Sequence, residues 1–550
     1  MLLSFVSEIP MSHTISVSLV QHRFTVGAIS ENTQRVIELA SAATTDLILF
    51  PEMTLTGYPP EDLVVRPDLL AAVEQGLSQI CHANIRSTVI VGHPWFDNGE
   101  LYNAASVIQQ GHVVGRYFKQ ALPNYGVFDE LRYFTPGSEP LVIEIHGQKL
   151  AVLICEDVWQ GYPVADAKDA GADWALVLNA SPYEIGKREQ RQELLQNLAK
   201  HLRIGFVYVN QMQGQDELVF DGSSMIVSPT GDIAFQAPAF ESGVYQATLR
   251  HQSQGWAVEH AYAATPTYSI EAEVYQALVV ATRDYIQQNG FPGAVLGLSG
   301  GIDSALTLAI AADAIGVDKV QALMLPFRYT SGMSVEDATE QARLMGITFD
   351  VVSIEPMYDS FMQQLAPIFA GRNADTTEEN LQARLRGVLL MALSNKTGRI
   401  LLTTGNKSEN AVGYCTLYGD MCGGFAVIKD VPKTLVYRLA AYRNTISPII
   451  PQRVIDRPPS AELAPGQTDQ DNLPPYDDLD AMIEAYVEQD KSLPEIVEMG
   501  YAEATVRRVL NLIDLNEYKR RQSAVGPKIT LRNFGKDRRN PITSALRKQR

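Results

Sequence analysis

The sequence predicts an α/β protein of two domains: an α/β sandwich in the N-terminal half and a doubly wound parallel sheet in the C-terminal half. Three observations predict it. From Ile15 to about Leu249, apolar strand-like runs alternate with fewer helical stretches. Residues 251–268 scatter His, Gln, Pro and Thr without periodicity, which reads as a linker between domains at 13–250 and 269–550. Beyond it, strand, glycine-rich loop and helix recur in the order of a parallel sheet covered on both faces.

Length and composition set the bounds. A chain of 550 residues can bury two or more full cores, and 46% hydrophobic content is ordinary for a globular protein. A formal charge of -18 argues against nucleic acid or a membrane surface as partner. An anionic small molecule would need local Lys and Arg clusters. Cys81, Cys155, Cys415 and Cys422 do not make a disulfide framework, and no spacing among them suits zinc. Residues 1–13 lack the basic start and apolar core of a signal peptide, and Met11 is a second candidate start. No apolar run is long enough to span a bilayer. The expected compartment is the cytoplasm.

In the N-terminal half, residues 15–19, 47–50, 88–92, 104–108, 150–154, 174–178 and 205–210 read as strands. Residues 32–43 and 190–201 read as helices. Three reactive residues stand at strand ends: Glu52 after Phe50-Pro51, Lys119 after Tyr117-Phe118, and Cys155 after Leu153-Ile154. Taken singly, a Cys there is more often a small buried apolar residue, and a Lys after aromatics a solvated one. Together they are what amide hydrolysis needs. A thiol is a poor nucleophile at neutral pH until a base such as Glu52 removes its proton. The tetrahedral oxyanion needs a fixed cation such as Lys119. Water then hydrolyses the thioester with Glu52 again as base.

These segments resemble the nitrilase, or carbon–nitrogen hydrolase, superfamily over residues 13–250, supported by Pro51-Glu52-Met53-Thr54-Leu55-Thr56-Gly57-Tyr58, Asn103-Ala104-Ala105 and Asn179-Ala180-Ser181-Pro182-Tyr183. The resemblance implies an αββα sandwich and a Glu52, Lys119, Cys155 triad. It also implies that Tyr125, Ser181 and Lys187 bind glutamine, with Glu130 as a second acid orienting Lys119.

In the C-terminal half, residues 271–287 read as an amphipathic helix that opens the domain. The apolar run 294–298 reads as a buried strand, and 305–310 as helix. Between them, Ser299-Gly300-Gly301-Ile302-Asp303-Ser304 joins a turn permitted by glycine to a helix N-terminus, a cradle for phosphate. It is not a Walker A loop, because no Gly-Lys-Ser/Thr follows. Residues 320–325, 348–354 and 399–403 read as further strands. Residues 334–346 and 380–394 read as helices, the first capped near Ser334. Thr403-Thr404-Gly405-Asn406-Lys407-Ser408-Glu409 falls at another strand end; an alternative for Lys407 and Glu409 is a helix-start ion pair. The glycine loop resembles the pyrophosphate-binding loop of the N-type ATP pyrophosphatases, which implies a Rossmann-like domain that adenylates a carboxylate.

The fusion as a whole resembles the glutamine-dependent NAD synthetase family. That resemblance implies that Gly297, Leu298, Ser299, Gly300, Gly301, Ile302, Asp303, Ser304, Thr404 and Lys433 bind ATP. It implies Mg²⁺ at Asp303 and Glu409, and deamido-NAD against Asn380, Arg384, Glu409 and Lys519, so Glu409 is open to metal or dinucleotide. The expected partners are glutamine, ATP and deamido-NAD, with no nucleic acid and no membrane, in a homo-oligomer with an enclosed path for ammonia. Rival readings are another ATP-pyrophosphatase amidotransferase and a nucleotide-sensing protein without catalysis. The Pro-, Asp- and Gln-rich stretch 457–480 reads either as a loop closing over the adenylate or as a surface excursion. From Tyr518 on, the chain is basic with Asp537 its lone acid; Lys519 and Lys528 are the best candidates to meet a polyanion, and 547–550 reads as frayed.

Overall fold

The structure is a computed structural model and describes residues 14–253, 255–262, 267–459, 462–464 and 473–545. The chain divides into two compact units. The first ends at Thr267; the second begins at Tyr268 and also takes in residues 183–185 and 214–219.

The first unit is built on two sheets. One has seven strands, in the order Gly255–His260, Gly243–Gln252, Thr14–Gln21, Leu47–Leu49, Thr88–Asp97, Glu100–Gln109 and His112–Phe118. The other has six, in the order Ile233–Gln236, Met225–Val227, Gly205–Asn210, Trp174–Asn179, Gln148–Ile154 and Leu141–Ile145. Side chains alternate between the faces of a strand, so one short run serves two cores. Leu47, Leu49 and Ile90 join the cluster shared by both sheets. Ile48, Val89 and Val91 point the other way, onto Val36, Ala40, Leu69 and Val73 of the helices Ile29–Ala42 and Pro67–His82. On the second sheet, the helices Tyr162–Asp169 and Lys187–Leu202 supply Val164, Ala167, Leu195 and Ala199. The layers run helix, sheet, sheet, helix. Glu52, Lys119 and Cys155 each follow the carboxyl end of a strand in this sandwich.

The second unit holds a five-stranded sheet in the order Thr348–Val351, Val320–Met324, Ala294–Gly297, Ile400–Thr403 and Phe425–Ala426, parallel throughout. The strand Ala294–Gly297 has its next strand in sequence on one side and Ile400–Thr403 on the other. That reversal is the switch point at which doubly wound sheets bind ligands, outside the carboxyl ends of the strands. The glycine loop and Thr404 leave those two ends. A helical cluster around Leu479, Met482, Ile496, Val506 and Leu510 forms a further core in this unit.

Several expectations change. The stretch read as a linker contains an antiparallel hairpin, because Gly255–His260 pairs with Gly243–Gln252 at the sheet's edge. Main-chain pairing, not apolar alternation, makes this edge strand. The helix expected from Ser334 begins at Gly332, where Ser331 caps it by accepting from the Ser334 N–H at 3.2 Å. The helix expected over 380–394 is Thr376–Thr397, started by a capping box of Asp375 and Glu378. The loop expected to reach Asp480 gives way to the helix Tyr476–Ile483, whose Leu479, Met482 and Ile483 are buried. Residues 460–461 and 465–472 of that stretch, the first 13 residues and 546–550 lie outside the described residues.

Candidate active sites

Glu52, Lys119 and Cys155 meet inside the first unit. All three are buried, at 1%, 1% and 5% exposure. Glu52 Oε1 accepts from Lys119 Nζ at 2.8 Å and from Asn103 Nδ2 at 2.7 Å, and Oε2 accepts from the Ala180 N–H at 3.0 Å. Lys119 also donates to both oxygens of Glu130, at 3.0 and 2.9 Å, and Tyr58 OH donates to Glu130 at 3.0 Å. Gly92 makes room for the Glu52 turn: a Cβ there would stand 2.6 Å from Met53 N and 2.7 Å from Pro51 O. Burial lowers the affinity of Lys119 for its proton, but Glu130 and Glu52 outweigh it and hold the ammonium well above the usual lysine range. Burial pushes the Glu130 carboxyl up to about 7.

Cys155 sits at φ 45° and ψ -96°, a left-handed backbone that a residue with a Cβ adopts only under constraint. Its N–H donates to Leu178 O at 2.9 Å, and the short helix Glu156–Gln160 begins immediately after it. Burial, then the charge of Glu52, raises the thiol well above its ordinary range; Lys119 opposes them. The resting thiol is therefore protonated, and a base must act at the moment of attack.

Of the residues expected to bind glutamine, Tyr125 is 57% exposed and its OH donates to both oxygens of Glu156, at 3.1 and 3.0 Å. Ser181 is buried beside Ala180, with its N–H donating to Asn210 Oδ1 at 2.9 Å. Lys187 opens the helix Lys187–Leu202 and sets its Nζ 4.4 Å from the Trp159 ring centre. Tyr125 thus meets the residue after Cys155, Lys187 meets Trp159 of the helix that follows it, and Ser181 stands next to Ala180, whose N–H bonds Glu52. Roles for Asn103, Tyr58, Glu156 and Asp157 were not legible in the sequence. Tyr58 and Asn103 stand in the motifs that carry the resemblance, but nothing local shows what they bond.

In the second unit, the glycine loop is tied by its own hydroxyls. Ser299 Oγ accepts from Gly301 N at 3.2 Å, and Ser304 Oγ donates to Gly301 O at 3.0 Å. Gly300 has φ +78°, and a Cβ on it would stand 2.2 Å from Ser334 O. Leu298 and Ile302 are buried anchors on either side, and Gly297 closes the strand. Asp303, in the first turn of Ile302–Ile315, accepts from Lys433 Nζ at 2.5 Å and from Asn406 Nδ2 at 2.9 Å. Lys433 Nζ also lies 3.4 Å from Glu409. Burial pulls the Lys433 proton affinity down, and Asp303 and Glu409 outweigh it, so the ammonium is raised. Thr404 follows the strand Ile400–Thr403 at the same edge.

Asn380, Arg384 and Lys519 gather on one loop. Asn380 Oδ1 accepts from Thr416 Oγ1 at 2.9 Å, Arg384 Nε donates to Leu417 O at 3.2 Å, and Lys519 Nζ donates to Gly413 O and Cys415 O, both at 2.8 Å. Glu409 reaches that loop only through its main chain, its carbonyl accepting from Tyr414 N at 2.9 Å, while its carboxylate faces Lys433 at 3.4 Å. Lys407, whose alternative reading is a helix-start ion pair, is buried against Glu488 at 2.6 Å and Asp430 at 3.1 Å. One expectation is corrected. Lys528 does not stand open to a polyanion, because it is buried and pairs with Glu184 at 2.8 Å. Among the described residues, no group of three or more His, Cys, Asp and Glu is placed to hold a metal, and no helix is long and apolar enough to cross a membrane.

A helix–sheet–sheet–helix sandwich enclosing Glu52, Lys119 and Cys155, joined in one chain to a doubly wound parallel sheet with a glycine loop at its switch point, is the architecture of an amide-hydrolysing unit coupled to a nucleotide-binding one. Family comparison agrees: residues 16–257 match the carbon-nitrogen hydrolase family and residues 274–523 the NAD synthase family. The chain is 52% identical over 540 residues to a glutamine-dependent NAD(+) synthetase of Acinetobacter baylyi, covering 97% of this chain and 99% of the relative. It is 42% identical to one of Aquifex aeolicus, covering 96% and 99%. A solved glutamine-dependent NAD+ synthetase of Acinetobacter baumannii in complex with ADP superposes with a TM-score of 0.79 at 50% identity, covering 96% and 98%. The chain belongs to the glutamine-dependent NAD(+) synthetases, ligases that use glutamine as amido donor.

Proposed function

We propose that this chain converts deamido-NAD to NAD with ATP and glutamine, and that the two sites divide the work. In the first unit, Cys155 Sγ bonds to the glutamine amide carbon as Glu52 takes the thiol proton. Lys119 stabilises the oxyanion from a fixed position, which costs no reorganisation. Glu52 passes the proton to the departing nitrogen, ammonia leaves, and water deprotonated by Glu52 cleaves the thioester to glutamate. Tyr125, Ser181 and Lys187 hold the glutamine.

In the second unit, the backbone of residues 297–304, with Thr404 and Lys433, holds ATP. The nicotinate carboxylate of deamido-NAD, held by Asn380, Arg384, Glu409 and Lys519, attacks the α-phosphorus and pyrophosphate leaves. Ammonia then attacks the acyl carbon and AMP leaves. Asp303 and Glu409 offer hard carboxylate oxygens around the Lys433 ammonium, a donor set that suits Mg²⁺ arriving with ATP. Such an ion would neutralise charge on the leaving pyrophosphate. The acidic net charge supports small-molecule partners over nucleic acid or membrane, and we place the enzyme in the cytoplasm as a homo-oligomer.

The observation that carries this reading is the buried Glu52–Lys119 pair at 2.8 Å beside a thiol held on a strained turn. The test is product analysis of the purified chain with deamido-NAD, ATP and glutamine. NAD, AMP, pyrophosphate and glutamate in equal amounts are expected. Glutamate without NAD, or NAD with ADP, contradicts the reading.

A further inference from the structure

Asp157 stands two residues after Cys155 and is 0% exposed. One buried carboxylate there satisfies four donors. Its Oδ2 accepts from the Ile154 N–H at 2.9 Å and from Tyr117 OH at 2.8 Å. Its Oδ1 accepts from the Gln120 N–H at 3.1 Å and the Ala121 N–H at 2.9 Å. Ile154 immediately precedes Cys155. Tyr117, Gln120 and Ala121 flank Lys119 on both sides. The two catalytic groups come from different sheets, the Gln148–Ile154 strand of one and the His112–Phe118 strand of the other.

We propose that Asp157 is a positioning residue that locks the Cys155 turn and the Lys119 strand end into one frame. This rests on the reading that Cys155 and Lys119 carry out amide hydrolysis. Asp157 is sealed from solvent and its acceptor sites face protein donors, so it acts through its neighbours and not on substrate. The lock matters because the Cys155 turn is strained. A backbone at φ 45° persists only where its surroundings over-determine it, and the Ile154 tether enters the turn from its first bond. Hydrogen bonds to a buried carboxylate are charge-assisted and directional, which suits the task. A protonated or neutral group there would keep fewer of the four. Burial pushes the Asp157 carboxyl up to about 6, and the N–H groups of Ala121 and Ile154 work against that rise, as they do when they bond the ionised form.

The experiment uses the full chain with Asp157→Ala and Asp157→Asn, and Cys155→Ala alongside. Turnover with glutamine, KM for glutamine, and the rate at which iodoacetamide alkylates Cys155 are measured. Ammonium-driven synthesis and thermal unfolding report the fold. Misplacing a reacting group by about 1 Å costs on the order of 100-fold. Asp157→Ala is therefore expected to lower kcat with glutamine by about 100-fold and to slow alkylation, with KM little changed. The carboxamide of Asp157→Asn can still accept from Gln120 and Ala121 but not from Ile154 and Tyr117 together, so it restores part of the loss. A folded Asp157→Ala enzyme whose kcat stays within about threefold of the parent overturns the proposal, because a lost frame would cost far more. So does a loss confined to KM. If the alanine variant does not fold, Asp157→Asn decides by the same two criteria. Glutamine turnover that survives Cys155→Ala overturns the underlying reading of the thiol instead, which keeps the two failures apart.

Discussion

At the scale of single residues, the proposed amide hydrolysis starts from a buried thiol whose proton is held tightly beside a lysine whose ammonium is held tightly too. Cys155 is raised well above the ordinary thiol range, chiefly by burial and then by Glu52. Its thiolate fraction therefore increases through neutral and mildly alkaline pH without levelling off. Alkylation of free enzyme by iodoacetamide is expected to climb steadily between about pH 6 and 9. A plateau reaching down to acid pH would reveal a preformed thiolate and contradict this. Glu52→Gln removes the proton acceptor and leaves Lys119 only Glu130; glutamine turnover is expected to fall by about 100-fold or more, as for loss of a general base. In the second unit, Asp303→Ala is expected to stop pyrophosphate release with either nitrogen donor while glutamine hydrolysis continues. Normal release would remove Asp303 from the nucleotide site. The meeting of Glu52, Lys119 and Cys155 was legible in sequence because amide hydrolysis calls for three residue types and each stood at a strand end. Tyr58 on Glu130 was not, since the two are 72 positions apart and no local period encodes that bond.

At the scale of elements, strand ends and helix starts place the chemistry. The turn at Gly300 has φ +78° and passes 2.2 Å from Ser334 O once a Cβ is added. Gly300→Ala is expected to cost roughly 1–3 kcal/mol of local strain and to abolish ATP-dependent synthesis with both donors. An enzyme with full ammonium-driven activity would contradict that. The helix Lys407–Val412 carries Asn406 at its cap, which holds Asp303, and Glu409 in its first turn. Lys407 anchors that helix by its buried pairs with Asp430 and Glu488. Lys407→Met leaves two acids without their cation, at about 3–5 kcal/mol. A lower unfolding temperature is the expected reading, and an unchanged one would contradict the anchor. The helices Pro67–His82, Glu355–Phe369, Lys433–Ile446 and Glu503–Leu515 were not legible, whereas seven strands of the first unit's two sheets and four of the five strands of the second unit's sheet were, from apolar runs. The hairpin strand Gly255–His260 was not, because its side chains are half-exposed and its pairing is main-chain. The helix Tyr476–Ile483 hid behind acidic residues, although Pro475 before it is a start signal.

At the scale of the whole molecule, the account assigns one half-reaction to each unit of a single chain. The fusion itself was the most informative feature of the sequence: neither the glycine loop nor the thiol alone says what the nitrogen is for. What stayed illegible is the support around each site. The fourfold bonding of Asp157 and the gathering of Asn380, Arg384 and Lys519 on the loop at 413–417 arise from tertiary contacts between distant segments. The most direct measurement of the division of labour is NAD formation by Cys155→Ala with glutamine and, separately, with ammonium as nitrogen source. The account predicts no NAD from glutamine and parental rates from ammonium. NAD from glutamine, or loss of both activities in a folded variant, would contradict it.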